Sequence, residues 1–392
     1  MYLKKRRVLF FLASLIVLFA PLKLFANNYS SSVERYRAKV KAILDVELAE
    51  YKLRYPQQVD IHFDIGAKVI TMHLDLYAPP FEVTEKLQKD LEKFNEKFRL
   101  VTAKFYHIYL LKEYFYYTPV PFIYIGKLTL DAKTTYQERM GNCFALTNMF
   151  IGITRKTGLT SNYYYVADIN SNYIYEGTLI TTYHIVCGIQ GDTVRPYIID
   201  FLPDPDENYR DLFRFNRIKK LTDLEAAGLF YNNIACKFML EKDYGYARYL
   251  FEFAECLYPN SDMIKNNIAV LYKRTQEYDK ALKYFLEALR YSKNPQHIIS
   301  NIIRTKKYLS KKKAEEVTEL ISEKLEKNYY WHLLKAEDYI EAKDYKNALK
   351  EVKKAEKLSP KNQEVISMYL RIAVLTNDKE LYEKYSSQIK KY

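Results

Sequence analysis

At 392 residues, 48% hydrophobic and 28% charged, the chain is long enough for several compact units and has a globular rather than a disordered composition. Its formal net charge is +13, but five positive residues (Lys4, Lys5, Arg6, Arg7 and Lys23) stand in an acid-free N-terminal segment, leaving +8 for the rest. That remainder mixes Lys with Glu along helical stretches such as KKKAEEVTELISEKLEK, the pattern of solvated helix faces, and argues against a nucleic-acid partner.

The chain opens MYLKKRRVLFFLASLIVLFAPLKLFANN, a basic start followed by a 13-residue apolar run from Val8 to Ala20. A membrane-spanning helix needs about 20 apolar residues, so the run suits the core of an export signal. Cleavage after Ala26 predicts an exported chain, periplasmic or extracellular, with no stable membrane span; an uncleaved segment anchoring the chain to a membrane is the alternative. Cysteines stand at 143, 187, 236 and 256 with no CxxC or Cys/His zinc spacing, so neither metal nor cofactor is expected. A Cys236–Cys256 disulfide stays open.

Residues 27–118 read as an N-terminal α+β subdomain. An amphipathic helix is expected over 33–55, a hairpin in VDIHFDIGAKVITMHLDLY around Gly66, and a helix over 81–117 closed by Pro119 and Pro121. A second segment, 119–220, begins with the short strand FIYIG and reaches GNCFALTNMFIGITRKTG, where Leu146, Met149, Phe150 and Ile153 recur at helical spacing. Asn142 is placed to cap that helix and Gly158 to stop it. Cys143 then lies on the first turn, at the positive end of the helix dipole, where thiolate is favoured and backbone N–H groups can hold an oxyanion. Taken alone, the position suits a core cysteine as well as a nucleophile.

A thiol nucleophile needs a base, and the base an orienting group. His184 lies in TTYHIVCGI; strand alternation sets it with Val186 on one face and Cys187 on the other. Asp200 ends the next apolar strand, YIIDF. The other histidines, at 62, 73, 107, 297 and 332, show no partner at readable spacing.

From 221 to 392 the pattern is uninterruptedly helical and self-similar. YGYARYLFEFAECLYP, YDKALKYFLEALRYS and YKNALKEVKKAEKLSP repeat one theme, with a degenerate copy around Ala314; Ala247, Ala281, Ala314 and Ala348 are spaced by 34, 33 and 34 residues. Small residues let two helices of a hairpin approach, at these alanines and at Ala235, Ala269 and Ala336 in the first helices, while Phe251 and Phe285 fill the adjoining layer. Asn233 and Asn267, also 34 apart, are candidate ligands for a bound peptide backbone.

The period and the small/large pattern resemble the tetratricopeptide repeat, which implies an all-α solenoid that docks a protein or peptide partner. GNCFALTNMFIGITRKTGL, YHIVCGI and YIIDF resemble the cysteine helix, histidine strand and aspartate strand of the transglutaminase-like branch of papain-like thiol enzymes. That resemblance implies an α+β core with Cys143 as nucleophile, His184 as general base and acid, and Asp200 as orienting residue. Gln137, six residues before the thiol, is the candidate side-chain donor to the oxyanion. The expectation is an exported cysteine enzyme acting on a carboxamide or peptide bond, by hydrolysis or amine transfer, with the repeats docking its substrate or partner. The alternative is a catalytically silent scaffold serving as a protein-binding module.

Overall fold

The computed structural model describes residues 21–87, 89–90, 121–156, 159–175, 178–190, 195–201 and 218–388, with side chains described from Tyr29 onward and outside 167–182. The apolar N-terminal run, His107 and most of the helix expected over 81–117 lie outside these residues. Two compact units emerge. The first takes the chain up to Ser171 and again from Thr182 to Asn260; the second takes Asn172–Thr181 and everything from Ser261.

In the first unit, α1 (Pro21–Ala42) begins earlier than the sequence pattern suggests and passes through a π-helical turn (Ile43–Glu47) into α2 (Ala49–Arg54). Tyr29, Val33, Tyr36, Val40 and Leu44 are buried at helical spacing along one face. The hairpin of β1 (Gln58–Ile65) and β2 (Lys68–Asp75) turns at Gly66, whose φ of 62° is the left-handed conformation that glycine adopts without penalty. It buries Ile61, Phe63, Ile70, Met72 and Leu74. Its outer face pairs His73 with Asp60 at 2.8 Å and His62 with Thr71 at 3.0 Å, partners that linear spacing did not suggest.

Next come β3 (Ile123–Tyr124), α3 (Ala132–Glu138), β4 (Met140–Gly141) and α4 (Cys143–Lys156). A four-stranded sheet follows in the order β7-β6-β5-β8, built from β5 (Ser161–Tyr175), β6 (Thr178–Ile189), β7 (Tyr197–Ile199) and β8 (Ile218–Leu221). The sequence pattern assigns α4 one buried face, but every residue from Phe144 to Thr154 is buried. Phe144 meets Tyr163 on β5, Phe150 meets Phe201 beyond β7, and a Cβ at position 152 would lie 2.3 Å from the carbonyl oxygen of Phe81. A helix enclosed on all sides is apolar all round, and the 3.6-residue stripe fades.

The helical repeats begin with α5 (Asp223–Leu240) and α6 (Tyr244–Leu257), which belong to the first unit although the sequence boundary was expected at 221. Aromatic packing explains their place: Phe230 meets Phe144 edge-on, the Tyr36 and Tyr231 hydroxyls lie 3.2 Å apart, and Tyr51 and Tyr55 stack on Tyr249. Arg155 grips Asp223 bidentately at 2.7 and 2.9 Å.

The second unit continues with hairpins of α7 (Asp262–Arg274) and α8 (Tyr278–Tyr291), then α9 (Gln296–Lys306) with α10 (Lys311–Leu320) and α11 (Ser322–Leu325). It ends with α12 (Tyr329–Glu341), α13 (Tyr345–Leu358), α14 (Gln363–Thr376) and α15 (Lys379–Ser386). Ala247, Ala269, Ala281, Ala336 and Ala348, and Phe251 and Phe285, are all fully buried, as the crossing-helix argument requires. The degenerate copy differs physically: its second helix breaks at Ile321, between α10 and α11, and Ala314 is only half-buried.

The other hairpins turn alike. Lys242, Gln276 and Lys343, just past the first helix of each, have φ of 67°, 62° and 57°. Left-handed φ costs a non-glycine residue about 1–2 kcal/mol, partly offset by the greater backbone entropy that glycine loses. Gln276→Gly should therefore raise stability by up to about 1 kcal/mol, while Gln276→Val should lower it. Urea midpoints that move in the same direction for both would overturn this reading of the turn.

Candidate active site

The site grows from the start of α4. Gly141 lies so close to Ala145 that an added Cβ would come within 2.5 Å of the alanine methyl. Asn142 follows as cap: its Oδ1 accepts from the N–H of Phe144 at 3.1 Å and of Ala145 at 3.0 Å. Its amide nitrogen donates to Thr129 at 2.7 Å, and its own N–H to the Leu128 carbonyl at 2.8 Å. The Asn142 carbonyl accepts from Leu146 N–H at 3.0 Å. Of the first four α4 N–H groups, only that of Cys143 is left to serve the site. The first turn therefore offers an oxyanion one backbone donor, where the sequence reading allowed several.

Cys143 is half-buried, and its thiol lies near enough to His184 to bear on the imidazole. The histidine Nε2 lies 2.9 Å from Asp200 Oδ1, which leaves Nδ1 as the ring nitrogen available to the thiol. With an ionised carboxylate as partner, Nε2 carries the proton and Nδ1 is the base. His184 and Asp200 are both 4% exposed. β6 and β7 pair antiparallel with Cys187 opposite Ile199. Continuing that register by one residue sets Asp200 opposite Val186, on the face His184 shares by alternation, so the two side chains are diagonal neighbours. Thr147 on α4 donates to the Ile185 carbonyl at 3.2 Å and ties the base strand to the nucleophile's helix.

Burial disfavours the histidine cation, but the hydrogen bond His184 donates to Asp200, together with the nearby Cys143 and the Asp200 charge, outweighs it and pushes His184 up to about 9. Two other thiols are held protonated. Burial raises Cys187 far above the ordinary thiol range; burial with Glu47, Glu255 and Glu252 nearby pushes Cys256 up to about 12. All four cysteines are free, so the Cys236–Cys256 bridge left open in the sequence is not formed.

Gln137 is exposed on α3. The residue set beside the thiol is instead Tyr124 on β3, close enough for Cys143 to bear on its phenol. Burial, and then the thiol beside it, raise the phenol above its ordinary range and keep it protonated. Nothing in the local pattern marks this tyrosine, because the contact is made by parallel pairing of β3 with β4, Tyr124 opposite Gly141.

Asn233 is half-buried and its Oδ1 accepts from Asn232 at 3.2 Å. Asn267 is fully buried and accepts from Asn266, whose own Oδ1 accepts from Asn301 at 3.0 Å. In the second unit this amide chain links α7 to α9, an internal use of the side chains proposed for peptide capture. His332 likewise has structural partners, Glu351 at 2.6 Å and the Glu326 carbonyl at 3.0 Å. Among the described residues no group of three or more His, Cys, Asp or Glu could hold a metal, and no helix is long and apolar enough to cross a membrane.

No family model matches the chain, and no curated protein matches it. Among solved structures, similar chains include PilF from Pseudomonas aeruginosa, at 16% identity and a TM-score of 0.31, covering 42% of this chain and 79% of that one. Another is YrrB, described as a TPR protein with an unusual peptide-binding site, at 15% identity and a TM-score of 0.23, covering 41% of this chain and 84% of that one. At these scores neither likeness carries an argument about function. The structure itself defines a C-terminal array of helical repeats joined to a mixed unit with small sheets.

The pair of His184 with Asp200 has a consequence for stability. His184 titrates near 9 in the folded chain and near 6.5 when unfolded, so its stabilisation is complete below pH ~6.5 and is lost as pH rises through about 9. Asp200→Asn should lower the thermal midpoint clearly at pH 6.5 and much less at pH 9.5. An equal deficit at both values would show that the pair does not control the titration.

Proposed function

We propose that the chain is an exported thiol enzyme of transglutaminase-like type, which transfers the acyl group of a carboxamide or peptide through Cys143. The observation that carries this reading is the chain Cys143–His184–Asp200, with its thiol on the first turn of a buried helix and its base held by a buried carboxylate at 2.9 Å.

In the proposed reaction, His184 Nδ1 takes the thiol proton, and the Cys143 thiolate adds to the substrate carbonyl carbon. Charge develops on the carbonyl oxygen, and the Cys143 N–H is the backbone group positioned to meet it. Collapse of this intermediate expels the amine, which takes the proton from His184 and leaves a thioester on Cys143. Water, deprotonated by the same imidazole, then releases a carboxylic acid; an amine in its place gives a new amide. Asp200 holds the Nε2 tautomer and favours the imidazolium. The helical repeats act in this reading as the docking region for the protein that carries the substrate group.

A silent binding module is the second reading. It is favoured by Tyr124, whose protonated phenol lies beside the thiol.

The two separate on the alkylation of Cys143 by iodoacetamide, followed by peptide mapping across pH. An ordinary thiol titrates near pH ~8.5, whereas a thiol activated by imidazole reacts well below that. Rapid modification at pH ~6 that His184→Ala abolishes is the expected outcome. Matching, ordinary profiles for both proteins would eliminate the enzyme reading and leave the binding module.

A further inference from the structure

Threonines inside the helices of this chain use their hydroxyls locally. Thr135, Thr154, Thr305, Thr318 and Thr376 each donate to the carbonyl four residues earlier, at 2.6, 2.8, 2.7, 2.6 and 2.8 Å. Thr147 is placed to do the same with the Cys143 carbonyl, yet its hydroxyl crosses to β6 and donates to the Ile185 carbonyl at 3.2 Å. A hydroxyl has one hydrogen, and here it joins two elements rather than closing a turn within one. Thr147 and Ile185 are both buried, so a donor lost at this point is not replaced by bulk water.

The two ends of this bond bracket the thiol and its base. Thr147 follows Cys143 by four residues on α4, so both side chains project from one face, about 6 Å apart along the axis. Ile185 follows His184 directly on β6. β7 pairs with β6 as far as Cys187, opposite Ile199, and ends there, while β5 flanks the other edge. Beyond the β7 ladder, the stretch of β6 that carries the base is held by Asp200 on the ring at 2.9 Å and by Thr147 on the backbone.

We propose that Thr147 is a positioning residue of the thiol site: its hydroxyl, bonded to Ile185, sets the spacing between the helix that presents Cys143 and the strand that presents His184. The inference rests on the thiol-enzyme reading and names the part of the fold that keeps its two reacting groups in register. Asp200 fixes the tautomer and orientation of the ring, but not how far the ring stands from α4. Apolar packing of α4 on the sheet is non-directional, whereas a hydrogen bond weakens as soon as donor and acceptor slide apart. Proton transfer needs sulfur within hydrogen-bond reach of the imidazole, and a misplacement of ~1 Å costs as much as about a hundredfold in rate.

The test follows the pH profile of Cys143 alkylation by iodoacetamide in the full chain, read by peptide mapping. Thr147→Val keeps the shape of the side chain, removes the donor and sets a methyl group against the Ile185 carbonyl. The expected result is a roughly tenfold or greater loss of reactivity at pH ~6 with little change at pH ~9.5, where an ordinary thiol is already ionised. Thr147→Ser returns the donor and should recover the reactivity at pH ~6. Thr154→Val removes an equally buried hydroxyl from the same helix and should lower the thermal midpoint while leaving the profile in place.

A wild-type profile in Thr147→Val overturns the proposal. So does an equal loss in Thr147→Val and Thr154→Val, because any loosening of α4 would then disturb the thiol. His184→Ala separates the two readings. If it abolishes reactivity at pH ~6 and Thr147→Val does not, the positioning role alone fails. If it changes nothing, the thiol-enzyme reading fails and the positioning role with it. Where circular dichroism shows Thr147→Val unfolded, Thr147→Ala takes its place, with the same loss expected and its absence equally fatal.

Discussion

Asn142 is the constraint on which the thiol site depends. Its side chain closes two helix-start donors, reaches back to Thr129, and its backbone is tied to Leu128, so α4 begins at one place and in one direction. A one-residue shift in the start would turn the Cys143 side chain by about 100° around the helix axis and away from its present setting. Substituting such a cap by alanine costs about 1 kcal/mol in general. Here the larger effect would be positional, because the sulfur, its own N–H and the base all take their geometry from that turn.

Burial and hydrogen bonding act in opposition at His184, and their balance gives the site its character. In isolation, an imidazole 4% exposed would be held neutral. Asp200 at 2.9 Å reverses this, and the pair becomes a proton store beside the one half-buried thiol that has a base. Cys187, three residues along β6 from His184, shows the contrast: it shares the strand but has neither base nor helix terminus, and burial raises it despite the opposing charge of Arg155. Cys256 is half-buried like Cys143, yet burial and then three glutamates around it oppose ionisation. Burial holds both of these thiols protonated, and neither has a base beside it.

Much of this was legible in the linear sequence because it is local. The cap precedes its helix by one residue, the small and large repeat positions recur at a fixed period, and His184 and Asp200 stand on strands that announce themselves by apolar runs. Three things were not legible, each for a nonlocal reason. Tyr124 reaches the thiol through a parallel pairing of two-residue strands, too short to carry a pattern. The ion pair of His332 with Glu351 and that of His73 with Asp60 span 19 and 13 residues between separate elements. The left-handed turns were hidden because Lys242, Gln276 and Lys343 occupy conformations usually signalled by glycine.

The boundary between units makes the same point about what a repeat pattern reports. Periodicity sees the two helices of one hairpin, since the alanines and phenylalanines that define it face each other within the pair. It is blind to what the hairpin's remaining surface meets. For α5 and α6 that surface carries Phe230, Tyr231, Tyr246 and Tyr249, and each packs on an aromatic or hydroxyl partner from α1, α2, Tyr55 just beyond α2, or α4 within the first unit. Gly245 admits the Tyr55 hydroxyl so closely that an added Cβ would sit 2.6 Å from it. Phe230 touches Phe144, the residue immediately after the nucleophile. The first repeat is thereby part of the scaffold that fixes α4, so a change in its packing reaches the thiol through one aromatic contact.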